Sequence, residues 1–98
     1  MALLKRQIQP LLDKAHDIAL KELERMARKA MKQHPELREF VMGMGGYFFN
    51  DQDNNHVYPE ECEYLYSIND FMMEWDSVLK LSGNAIRFTV DGPIETEW

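Results

Sequence analysis

Apolar residues recur at steps of three and four through the first third of the chain: Leu4, Ile8, Leu11, Ala15, Ala19, Leu23, Met26 and Ala30. That is the period of one helix face, and the Ala, Leu, Lys, Glu and Arg between them favour helix. Pro10 costs little at a first helical position but removes a backbone hydrogen bond inside a helix. The spacing therefore predicts a long amphipathic helix from about Pro10 to Gln33, with residues 2–9 as a separate or kinked turn. His34-Pro35 ends it, because the residue before proline is pushed out of the helical region.

Beyond Pro35 the period changes repeatedly. Leu37, Phe40, Val41 and Met44 keep helical spacing up to Gly45 and Gly46 and predict a short helix over about 35–44, although Phe40, Met42 and Met44 also alternate as a strand would. Tyr47-Phe48-Phe49 and His56-Val57-Tyr58 flank a dense turn signal, Asn50-Asp51-Gln52-Asp53-Asn54-Asn55, which predicts a hairpin over about 47–58. Pro59 with Glu60, Glu61 and Glu63 reads as a helix start. Leu65, Ile68, Met72, Trp75 and Leu79 then step regularly, predicting a helix over about 60–81 that Gly83 closes. Ser67 and Asp70 can form a capping box, so a break is expected at Ser67. Ile86, Phe88 and Val90, then Ile94, Thr96 and Trp98, alternate with polar residues around Asp91-Gly92-Pro93, a second hairpin over about 85–98. Helix, helix, hairpin, helix, hairpin is an α+β order, with the hairpins forming a small antiparallel sheet.

Composition narrows the class. Ninety-eight residues, 45% of them hydrophobic, fit one domain over 1–98 and are too apolar for a disordered chain. The net charge of −6 is unevenly placed. Residues 1–33 carry eight basic side chains (Lys5, Arg6, Lys14, Lys21, Arg25, Arg28, Lys29, Lys32) against four acidic ones, +4, whereas residues 34–98 carry three against 13, −10. A basic N-terminal helix is joined to an acidic α+β body. The lone Cys62 has no internal disulfide partner, the Lys5-Arg6 pair follows the first apolar residues where a signal peptide would place it before them, and no apolar run approaches the roughly 20 residues of a membrane span. A cytoplasmic protein that does not engage a membrane is expected.

Catalytic chemistry is thinly represented. The serines stand at 67, 77 and 82, outside any nucleophile elbow, and Glu60, Glu61 and Glu63 around Cys62 disfavour a thiolate. Gly43-Met-Gly45-Gly46 lacks the strand-then-helix setting of a phosphate loop. No enzyme and no cofactor is expected. Asp51, Asp53 and His56 cluster oxygen and nitrogen donors, but a calcium loop starting at Asp51 would need glycine where His56 stands and glutamate where Cys62 stands. What remains is a looser divalent-cation site on Asp51, Asp53 and His56, set against an Asx-rich hairpin turn. A metal-responsive module built on that loop is the alternative functional expectation.

Lys21, Arg25, Arg28 and Lys32 share the helix side opposite the apolar stripe. Nucleic acid is disfavoured as their target, because −10 on the body repels phosphate and no aromatic residue interleaves the stripe. Intrahelical pairs such as Asp17 with Lys21 and Glu24 with Arg28 are the competing use. Adjacent Met72 and Met73 cannot share one narrow helix face, and the aromatic content, Trp98 included, exceeds what a small core hides. These features point to a non-enzymatic protein–protein interaction module, homodimeric, with Lys21, Arg25, Arg28, Lys32, Met72, Met73 and Trp98 as contact residues.

The segment Trp75-Asp-Ser-Val-Leu-Lys-Leu-Ser-Gly, a following strand and Asp91-Gly-Pro resemble short proteins encoded by bacteriophages and prophages. The resemblance covers the last third of the chain and implies no site residues. It implies a modulator or inhibitor of a host complex.

Overall fold

A computed structural model describes residues 2–43, 46–79 and 85–97, with side chains described from residue 14 to residue 96 within those stretches. Helix α1 (Ala2–Gln33) is followed by strands β1 (Leu37–Gly43), β2 (Gly46–Asp51) and β3 (His56–Val57). Two short 3-10 turns (Pro59–Glu61, Glu63–Leu65), helix α2 (Tyr66–Leu79) and strands β4 (Ala85–Thr89) and β5 (Glu95–Glu97) complete the order. The strands form one antiparallel sheet in the order β3-β2-β1-β4-β5, so the fold is α+β as the pattern predicted.

Three expectations need correction. First, α1 does not begin at Pro10 but runs unbroken from Ala2; the residues flanking Pro10 are strong helix formers, and the local cost of one proline does not end the element. Second, the stretch expected as a helix over 35–44 is β1, the central strand. One extra residue between Leu37 and Glu39 bulges the register against β2, so Leu37 joins Phe40 and Met42 on the buried face. A three-residue apolar step thus arises on a strand and imitates a helical one. Third, the 60–81 helix starts late. Cys62 is extended (φ −125°, ψ 119°) between the two 3-10 turns, and α2 begins at Tyr66, which leaves Ser67 inside its first turn. Pro59 and Leu65 are both buried, yet six helical residues would set them about 120° apart around the axis. The extended Cys62 lets both face inward. Met44, Gly45, Gly83 and Trp98, assigned to elements from the pattern, lie outside the described residues.

The sheet's inner face carries Phe40, Met42, Phe49, Ile86 and Phe88. Phe40 is at the centre, its ring 5.1 Å from that of Phe49 and 5.5 Å from that of Phe88. Both helices cover this face: α1 buries Ala19, Leu23, Ala27, Ala30 and Met31, and α2 buries Ile68, Met72 and Leu79. The small alanines let α1 approach its neighbours closely. The helix is about 48 Å long, and its buried side chains among those described lie at Ala19 and beyond. The molecule measures 50 × 24 × 22 Å, with a radius of gyration of 14.5 Å against about 12.6 Å for a compact chain of this length.

Candidate functional site

α1 and α2 lie side by side and antiparallel, because Ile18 and Ala19 sit beside Phe71 and Trp75 while Lys29 and Gln33 sit beside Tyr64 and Ser67. Between the first four of these residues runs an open groove of about 430 Å³, walled by Ile18, Phe71 and Trp75, with Lys21, Glu22 and Arg25 on its rim. The Phe71 and Trp75 rings are stacked with centroids 6.2 Å apart. Ile18 is 58% exposed. Along the solvent side of α1 stand Lys14, Lys21, Arg25, Lys29 and Lys32, all exposed, with Asp17 the one fully exposed acid among the described residues there; along that of α2 stand Asp70 and Glu74, and α2 contains no basic residue. An apolar groove therefore separates a mainly basic ridge from an acidic one.

The sequence-derived contact residues divide. Lys21, Arg25, Lys32 and Met73 are exposed, Met73 at 74%. Arg25 is steadied by Glu22, whose carboxyl the guanidinium holds below its ordinary range. Arg28 does not belong to the outward stripe. Its Nη1 donates to the Thr89 carbonyl at 3.0 Å and its Nη2 to the Gly92 carbonyl at 2.7 Å, with the guanidinium 5.0 Å from the Phe88 ring centroid. The Nε lies 3.4 Å from Glu24. Arg28 is a clamp from α1 to the β4–β5 turn, and the Gly92 N–H donates in turn to the Thr89 hydroxyl at 3.0 Å. Met72 is fully buried and serves the core. Trp98 is outside the described residues.

Ile18, Phe71 and Trp75 were not singled out as contacts from the sequence. A signal was present: Leu4, Leu11 and Ile18 recur every seven residues, the spacing of a helix ridge that meets another helix. It was hidden behind the stronger step through Ala15, Ala19 and Leu23.

The Asp51–His56 loop is occupied by its own backbone. Asp51 Oδ1 accepts the N–H of Asp53 at 2.8 Å and of Asn55 at 2.9 Å, and Asn54 takes φ 63°, an Asx turn with a residue that tolerates the left-handed region. The Asn55 N–H is the foremost cause that depresses the Asp51 pKa. His56 turns away along the sheet, its Nδ1 2.7 Å from Asn50 Oδ1. Among the described residues no three His, Cys, Asp or Glu side chains gather as a metal-binding group.

The sheet's outer face satisfies itself. Asn50 donates to Glu39 at 2.9 Å and thereby orients the oxygen that meets His56, while Arg87 donates to Glu95 at 2.9 Å. Val41 and Phe48, paired across β1 and β2, are half-buried. The Phe48 ring is covered by His56 at 4.1 Å and Tyr58 at 6.0 Å between centroids.

Among the described residues no helix is long and apolar enough to cross a membrane. No family model, curated protein or solved structure matches the chain.

Proposed function

We propose that this chain is a non-enzymatic protein–protein interaction module that works as a homodimer, with the α1/α2 face as its contact. The observation that carries the reading is the groove of Ile18, Phe71 and Trp75 between ridges of opposite charge. A surface that is apolar in the middle and carries both signs at its edges complements a copy of itself.

Sedimentation velocity tests the reading. The protein should sediment as a dimer at micromolar concentration, and Ile18→Asp should shift it to monomer while its melting temperature, measured at low concentration, stays within a few degrees. A wild-type chain still monomeric at about 100 μM, where even an association of about −5.5 kcal/mol would be half formed, overturns it.

A further inference from the structure

Resting on the homodimer reading, we infer that the two copies meet about a two-fold axis running along the α1/α2 groove, so that α1 of each copy lies over α2 of the other and the four helices form a bundle. A face-to-face two-fold contact between two layers of antiparallel helices has two simple solutions. An axis across the helices stacks α1 on α1 and α2 on α2. An axis along them stacks α1 on α2. Charge separates the two solutions. Crosswise, the exposed Lys14, Lys21, Arg25, Lys29 and Lys32 of one copy would face the same residues of the other, and Asp70 and Glu74 would face each other, like against like. Lengthwise, the basic residues of one ridge face the acidic residues of the other, and Asp17 and Glu22 are the only described acids on the α1 side of that contact besides the part-buried Glu24.

The groove also sets the height at which the ridges meet. Lys21 and Arg25 of α1 and Phe71 and Trp75 of α2 line the same stretch, and Asp70 and Glu74 are one residue before each of those rings. Rotation about an axis parallel to the helices preserves position along them, so Lys21 and Arg25 of one copy face Asp70 and Glu74 of its partner, twice in each dimer. Ile18, Phe71 and Trp75 from both copies close the centre. The intramolecular hold of Glu22 fixes the Arg25 guanidinium beside the groove and offsets part of its charge, so Lys21 carries the larger share of the contact.

A charge-reversal mixing experiment tests the arrangement. One variant carries Lys21→Glu and Arg25→Glu, the other Asp70→Lys and Glu74→Lys; circular dichroism checks that each is folded, which exposed positions on helix surfaces permit. Each alone puts like charges in both contacts and should dimerise about ten-fold or more weakly than wild type. An equimolar mixture should form a heterodimer, seen by native mass spectrometry, because both of its contacts then pair opposite charges. If wild type dimerises but the variants dimerise as well as it does, or the mixture associates no better than either variant, the lengthwise arrangement is wrong although the homodimer stands. If wild type is monomeric, the homodimer reading fails with it.

Discussion

The helical face and the outer sheet face are both exposed to solvent, and both display apolar residues next to charge, yet they differ in what they leave unfinished. On the sheet, Val41 and Phe48 are half-buried under His56 and Tyr58, and the charged groups close on one another through Glu39–Asn50–His56 and Arg87–Glu95. On the helices, Ile18 stands open beside Phe71 and Trp75, and the ridges on either side carry opposite charges that the groove keeps apart. Cross-strand neighbours are within side-chain reach in a sheet, so a sheet face can satisfy itself. Two neighbouring helices hold their outer ridges apart. What the sheet completes within one chain, the helical layer leaves open, which is why we propose a second copy there.

Several measurements can break or sharpen that contrast. Phe40 underlies both faces, and Phe40→Ala should cost about 4 kcal/mol by creating a cavity between sheet and helices. Denaturant unfolding would show it, and a cost below about 1 kcal/mol would mean that the faces do not share this layer. Next in size is a pair of arginines three residues apart on α1. Arg28→Ala should cost about 2 kcal/mol, because two charge-assisted bonds to carbonyls and a ring contact are lost, whereas exposed Arg25→Ala should cost less than about 0.5 kcal/mol and weaken association. Equal stability costs would erase the distinction between clamp and contact.

Asn50→Ala, on the self-satisfied face, should lower stability by about 1 kcal/mol and leave sedimentation unchanged; a shift to monomer would transfer the interface to the sheet. The smallest effect concerns Asp51. Its folded pKa lies below its ordinary value of 3.8, chiefly because of the Asn55 N–H. The unfolded chain therefore binds the proton more readily, and the carboxylate's contribution is full above the ordinary value and is lost as pH falls through the folded pKa. Acid unfolding titrations of wild type and Asp51→Asn should differ in slope in that region alone. A difference that appears only near neutral pH would point to a group other than this carboxylate.

Gly92 extends the test to the clamp. A Cβ there would stand 2.5 Å from the Thr89 hydroxyl oxygen, so Gly92→Ala should force that side chain to turn and give up its bond from the Gly92 N–H. A melting temperature equal to wild type would show that the turn adapts without loss.

The sequence alone determined the α+β class, the first hairpin and its Asx turn, and the charge division between the N-terminal helix and the body. These follow from local rules: helical period, turn residues that bond their own backbone, and charges that can be counted in order. Tertiary structure decided the rest. Whether residues 37–43 became helix or strand depended on β2 and β4 being present to pair with both edges, and on a bulge that no local preference reveals. Whether Arg28 was a contact or a clamp depended on the carbonyls of Thr89 and Gly92, more than sixty residues away, arriving within reach. The groove exists because Ile18 and the Phe71–Trp75 pair, also distant in sequence, were set side by side by the core that α1 and α2 share. Periodicity says which way a side chain points along its own element; packing alone says what it meets.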